Sequence, residues 1–149
     1  MSVSVSVIVP CYNVAAYLDQ CMESLTGQSM EDIEIICVND GSSDRTAEIL
    51  REWRNRDRRV RIIDQKNSGV SAARNSGMAA AAGTYIGFVD PDDMVERNMF
   101  QRLFTAAAGT WICLKAAGRR QPDFSRRKKR NGSGGGRPGA VARERCGTS

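Results

Sequence analysis

Residues 3–9 alternate Ser and Val and run into Val7-Ile8-Val9, and three later stretches repeat the pattern of a short apolar run: "IEIICVN" (Ile33 to Asn39), "VRIID" (Val60 to Asp64) and "TYIGFV" (Thr84 to Val89). Each has strand length; the first, "IEIICVN" and "TYIGFV" read as buried strands and "VRIID" as a short third strand, the pattern of a parallel sheet. The intervals between them read as helices. Val14, Tyr17, Leu18, Cys21, Met22 and Leu25 recur at helical spacing and predict an amphipathic helix ending near Gly27. Asp44 is a good N-cap for a helix carrying Ala47, Leu50 and Trp53. An Ala-rich helix is expected from Val70 to Ala82, ended by Gly83, and Met99, Phe100, Leu103, Phe104 and Ala107 mark a last one. The order βαβαβαβ followed by a helix predicts an α/β fold, a mostly parallel sheet with helices on both faces.

Ligands of such sheets bind beyond the carboxyl ends of the strands. Those ends are Pro10-Cys11-Tyr12-Asn13, Asp40-Gly41-Ser42-Ser43-Asp44, Gln65-Lys66-Asn67-Ser68-Gly69 and Asp90-Pro91-Asp92-Asp93, and the polar clusters of the body fall there.

Composition removes several classes of chemistry. The 149 residues contain no histidine, so Ser-His-Asp and Cys-His catalysis are excluded. The five cysteines form no CxxC pair, which excludes the usual zinc spacings and argues against a disulfide framework. No GxGxxG follows the first strand and no GxxxxGK[ST] is present, so neither a dinucleotide cofactor nor a P-loop is signalled. No apolar run approaches the roughly 18–20 residues of a membrane span, and the start lacks a basic leader, so a soluble, cytoplasmic chain is expected. The net charge of +5 is unevenly placed: residues 1–104 carry 11 Lys/Arg against 15 Asp/Glu, and residues 105–149 carry 11 against 2. Residues 105–149, rich in Arg, Gly and Ser, are expected to be disordered. They are either a natural basic tail or a departure from the reading frame near Thr105 to Gly109.

The strand-end motifs carry the chemistry. In "VDPDD", Pro91 fixes its own φ and pushes Asp90 toward extended geometry, so Asp90 and Asp92 can project toward one ligand. Carboxylate oxygens suit Mg²⁺ or Mn²⁺, ions usually shared with a substrate's phosphates. The alternative is a polar turn, and Asp93 to Glu96 fits a capping box, which makes Asp93 structural. In "VNDGSSD", Asp40 can accept from a nucleobase N–H or a ribose hydroxyl, or else serve an Asx-type turn. In "NSGVSAARNSG", Arg74 and Asn75 lie on a helix whose start attracts anions, or Arg74 is an exposed cation on a helix packed close to the sheet. Lys66 reads as solvated. Tyr12 either stacks on a base or covers the core edge, and Cys11 lacks a base that would make it a nucleophile.

The four stretches "SVIVPCYN", "IICVNDGSSDRT", "QKNSGVSAARNSGM" and "GTYIGFVDPDDMVERNMF", in series over residues 6 to about 104, resemble family 2 glycosyltransferases. The resemblance implies a GT-A type, Rossmann-like sheet flanked by helices, incomplete here. Residues 1–104 would form the nucleotide-sugar-binding half. It implies transfer of a sugar, with inversion, from a nucleotide-diphosphate donor, UDP above all, to an acceptor hydroxyl on a saccharide or a lipid-linked molecule. It leaves room for peripheral membrane association and gives no role to a specific nucleic acid. Pro10 and Tyr12 would border the nucleoside, Asp40 would bind the base, Arg74 would help hold the nucleotide and Asp90 would approach the ribose. Asp92 would ligate the Mn²⁺ or Mg²⁺ that bridges the diphosphate. The family's general base lies in the second half of the domain and is assigned to no residue here, so the 149 residues are expected to be truncated and inactive.

Two other classes are weighed beside this. A nucleotidyltransferase needs a Gly-rich basic loop after strand one, which "PCYNVAAY" does not supply. A polyanion or nucleic-acid binder would rest on "RRKKR" (Arg126 to Arg130), whereas the acidic body offers no basic face.

Overall fold

A computed structural model describes residues 2–109 of the chain. The elements are β1 (Val5–Cys11), α1 (Leu18–Thr26), β2 (Ile33–Asp40), α2 (Thr46–Arg56), β3 (Val60–Gln65), α3 (Val70–Ala80), β4 (Tyr85–Phe88) and α4 (Met99–Gly109). The strands form one parallel sheet in the order β3-β2-β1-β4. Every residue of β1 and β2 is buried, which is the physical reason these runs are mostly apolar; the exceptions, Ser6, Glu34, Asn39 and Asp40, are buried polar groups. Because successive side chains alternate between faces, the two central strands feed two cores. Val5, Val7, Val9, Cys11, Ile33, Ile35 and Cys37 join Leu18, Met22 and Leu25 of α1, Ile49 and Leu50 of α2 and Phe100 of α4. Ile8, Ile36 and Val38 meet Ala73 of α3 on the other side. The predicted α/β sheet with helices on both faces is therefore the one observed, and among the described residues no helix is long and apolar enough to cross a membrane.

Three local expectations change. The first helix starts at Leu18 rather than near Val14, because the Val14 and Ala15 N–H groups donate to Thr46 Oγ1 (3.0 Å) and Asp44 Oδ2 (3.1 Å). α3 stops at Ala80, before Ala82, whose N–H donates to Glu34 Oε1 at 2.6 Å. The capping box at Asp93 to Glu96 does not form. The last helix begins at Met99, and its Phe100 N–H donates to Gln28 Oε1 (3.3 Å), while Gln28 Nε2 donates to the Glu96 carbonyl (2.7 Å). A buried glutamine from the α1–β2 connection thus does the capping that local sequence assigned to Asp93.

The expected tail lies outside the described residues, apart from 105–109 at the end of α4, and so do Arg126 to Arg130.

Candidate functional site

The carboxyl ends of β1 and β2 are tied together by side chains. Asn13 adopts φ 52°, a left-handed conformation that asparagine tolerates better than most residues. Its Oδ1 accepts from Ser43 N–H at 2.8 Å, and its own N–H donates to Ser42 Oγ at 3.1 Å. Asp44 completes the seam: Oδ1 accepts from Thr46 N–H at 2.9 Å and Oδ2 from Ala15 N–H. Asp44 is not the N-cap it was expected to be, since Arg45 takes that position; its bond to Thr46 N–H is an Asx-type turn leading into α2, and it also fixes the loop that carries Tyr12. Gly41 has φ 71°, and a Cβ there would fall 2.8 Å from the Asn67 backbone nitrogen. Only glycine lets the loops after β2 and β3 approach so closely.

Asp40 ends β2 and is only 3 % exposed. Gln65 Nε2 donates to Oδ1 at 2.7 Å, Ser68 N–H to Oδ1 at 2.9 Å and Gly69 N–H to Oδ2 at 2.8 Å. The Gln65 hydrogen bond, with those from Ser68 and Gly69, outweighs the cost of burial and holds the carboxyl below the ordinary aspartate value. Asp40 is therefore an ionised acceptor at neutral pH. It lines a cleft of about 330 Å³ together with Pro10, Tyr12, Asn67, Gly69 and Val70. Tyr12 is 50 % exposed, so its ring is free to cover a planar ligand rather than seal the core edge.

The remaining predicted residues gather one strand over. Arg74, next to the cleft-lining Ala73 on α3, donates from Nη2 to Asp90 Oδ1 at 2.9 Å. Its guanidinium also stands over the exposed Phe88 ring, 5.8 Å from the centroid. Arg74 Nε is buried and has no hydrogen-bond partner. Arg74 is not among the residues that line the cleft, and its unpaired Nε is a donor that a phosphate or carbonyl oxygen would satisfy once the side chain turned to expose it. Asp92, two residues from Asp90, is exposed and has no side-chain partner among the described residues. Pro91 between them is buried and anchors the turn, in which Asp93 N–H donates to the Asp90 carbonyl at 3.0 Å.

No group of three or more His, Cys, Asp or Glu among the described residues is arranged to hold a metal. Asp92 and the free Oδ2 of Asp90 nevertheless fit an ion whose other ligands are phosphate oxygens and water, as Mg²⁺ and Mn²⁺ commonly have. The negative field there is evident in Cys21. Burial first, then Cys11 and the carboxylates of Asp93, Asp92 and Asp90, push its thiol up to about 12. Cys37 is likewise raised, by its hydrogen bond with Cys11 and by burial, so these thiols stay protonated and are no nucleophiles.

Pro10, Tyr12 and Asp40 thus share one cleft, and Arg74 pairs with Asp90 beside Asp92. Asn13, Asn67, Gln65 and Ser76 were missed as site residues. Their signal was position alone: Asn13 and Asn67 stand in strand-end loops, Gln65 ends β3 and Ser76 lies on α3, and their roles depend on contacts between elements far apart in sequence.

A parallel sheet in the order β3-β2-β1-β4 with helices on both faces and acidic residues at two strand ends has the architecture of the GT-A fold. Residues 6–142 match the family described as Glycosyl transferase family 2, and the chain belongs to that family. It is 51 % identical over 114 residues to the uncharacterized glycosyltransferase EpsJ of Bacillus subtilis, covering 76 % of this chain and 33 % of the relative. It is 45 % identical over 100 residues to the glycosyltransferase GlyA of Streptococcus pneumoniae, covering 67 % of this chain and 14 % of that protein. The chain thus spans a third or less of these relatives. Among solved structures it resembles S. aureus TarS 1-349 in complex with UDP (TM-score 0.65, 28 % identity, 68 % of this chain and 31 % of that one). It also resembles the UDP-GlcNAc complex of the same protein (TM-score 0.63, 33 % identity, 70 % and 30 %).

Proposed function

We propose that residues 6 to about 104 bind the UDP portion of a nucleotide-sugar donor for inverting transfer to a saccharide or lipid-linked acceptor hydroxyl. The observation that carries this is Asp40: an ionised, almost fully buried carboxylate lining a cleft beside Pro10 and Tyr12. Burying such a group is costly unless its remaining acceptor capacity is used, and a uracil ring N–H is a matching donor. The bound UDP and UDP-GlcNAc of S. aureus TarS support the same choice of donor. In this reading Tyr12 covers the base, Asp90 faces the ribose, Arg74 holds a diphosphate oxygen through Nε and Asp92 ligates Mn²⁺ or Mg²⁺. When bound, such an ion stabilises the leaving diphosphate as a Lewis acid. A cytoplasmic location belongs to the same proposal, and the buried free thiols of Cys11, Cys21 and Cys37 suit a reducing compartment.

Titration calorimetry with UDP, with and without Mn²⁺, tests the site. Binding that strengthens with Mn²⁺ and loses that gain in Asp92→Asn is expected. Equal binding of the variant and the parent would reject the metal role. The 149-residue polypeptide, taken by itself, is expected to bind donor weakly and not to transfer sugar, since it spans a third of EpsJ. Turnover of a UDP-sugar by that polypeptide would reject this last part alone.

A further inference from the structure

Asp40 is held from two directions, and one of them leads away from the cleft. Gln65 Nε2 donates to Asp40 Oδ1 at 2.7 Å, while Gln65 Oε1 accepts from Ser76 Oγ of α3 at 2.6 Å. A primary amide placed between a carboxylate and a hydroxyl has one good orientation. If it flipped, its carbonyl oxygen would face the carboxylate and repel it. Ser76 thus fixes the amide, and the amide fixes Asp40. The count of acceptor sites sharpens this. A carboxylate offers about four lone-pair positions. Among the described residues, Oδ1 takes two donors, Gln65 and Ser68, and Oδ2 takes one, Gly69. One position remains, on Oδ2, for a ligand in the cleft that Asp40 lines.

We propose that Ser76 and Gln65 form a positioning relay that saturates Asp40 Oδ1 and leaves Oδ2 with a single directed acceptor site, making the cleft selective for nucleobases that present a ring imide N–H. Uracil presents one at N3. The inference rests on the reading of Asp40 as the group that faces the base, and adds to it two residues that touch no ligand. The lowered pKa of Asp40, whose leading cause is the Gln65 hydrogen bond, agrees with the geometry. Without Gln65, Oδ1 regains a free lone pair and the carboxylate can rotate about its bond, so the directed site becomes diffuse.

The test compares UDP with 3-methyl-UDP, which keeps the diphosphate, the ribose and the ring but lacks the imide N–H. Affinities are measured by calorimetry on the full chain, with far-UV circular dichroism and melting curves for each variant. The parent should prefer UDP by about 10- to 100-fold, the usual consequence of leaving a charged buried acceptor unpaired. Gln65→Leu and Ser76→Ala should cut that preference to below about 3-fold while binding of 3-methyl-UDP stays near the parent value. Ser76→Thr, which keeps the hydroxyl, should restore it. A loss of affinity shared equally by both ligands would mean that the two residues merely support the fold, and would overturn the relay. Ser76→Ala provides the answer should Gln65→Leu fail to fold. Asp40→Asn separates the two layers. If it abolishes the preference and the relay variants do not, only the relay is wrong. If it leaves the preference intact, or if the parent shows none, the reading of Asp40 fails and the relay with it.

Discussion

Gly77 of α3 and Ile8 of β1 are in such close contact that a Cβ built on the glycine would lie 2.5 Å from Ile8 Cγ2. Ile8 is fully buried and belongs to the small core between α3 and the sheet. The glycine is therefore a packing residue: it lets α3 descend onto β1 and β2, and so sets the height at which Arg74, one turn earlier, faces Asp90. Gly77→Ala should destabilise the fold by about 1–3 kcal/mol through overpacking, despite the better helix propensity of alanine. A lower urea midpoint with an unchanged m-value would confirm it, and an unchanged or raised midpoint would show that α3 can shift without cost.

At the opposite end of the sheet, Glu34 is buried and accepts from Ser6 Oγ (2.5 Å), Ala82 N–H (2.6 Å) and Arg61 Nη1 (2.6 Å). Burial alone would raise its pKa, but the three donors, Ser6 first, prevail and hold it below the ordinary glutamate value of 4.5. A depressed folded-state value contributes stability that is present above the unfolded value and is lost as pH falls through the folded one. Glu34→Ala should therefore cost about 1–3 kcal/mol at pH 7 by leaving buried donors unpaired. The gap between variant and parent should narrow below about pH 4.5. Denaturant titrations at pH 7 and at acid pH measure it, and a gap that is constant with pH would show that the charge is not what Glu34 contributes.

The Arg74–Asp90 pair is half in water, with side chains 40 % and 51 % exposed, so its contribution to folding is about 0–1 kcal/mol. Its value is in the unpartnered Nε, a donor that lysine lacks. Arg74→Lys should leave the melting temperature within a few degrees of the parent and weaken UDP binding about 10-fold, a loss typical of one charge-assisted hydrogen bond. Affinity equal to the parent's would place the guanidinium outside the site.

What could be read from the sequence divides along the range of the interactions. The strands and the sheet face of each helix follow from periodicity, because burial of β1 and β2 on both sides leaves few polar positions, and those only where a partner such as Ser6 for Glu34 is present. Asp40, Arg74, Asp90 and Asp92 stood out because charged groups beside apolar runs are costly without a purpose. The cap of α4 was misassigned because Asp93 to Glu96 has the local form of a cap, while the tertiary partner, Gln28, lies 72 residues from Phe100. Gln65 and Ser76 were silent for the same reason: nothing in "DQKN" or "ARNSG" announces that the two side chains meet at 2.6 Å.

Asn13 combines both kinds of information and can be dissected. Its left-handed φ of 52° is a backbone property, and its grip on Ser43 is a side-chain property. Asn13→Gly removes only the second, since glycine adopts positive φ without strain. Asn13→Ala removes both. The glycine variant should lose about 1 kcal/mol, the worth of a net hydrogen bond, and the alanine variant about 1–2 kcal/mol more, the cost of forcing a Cβ into that region. Both should weaken UDP binding, because Asn13 joins the loop of Tyr12 to the loop that follows Asp40. If alanine proves no worse than glycine in chemical denaturation, the loop relaxes to negative φ and the conformation is not what holds the two strand ends together.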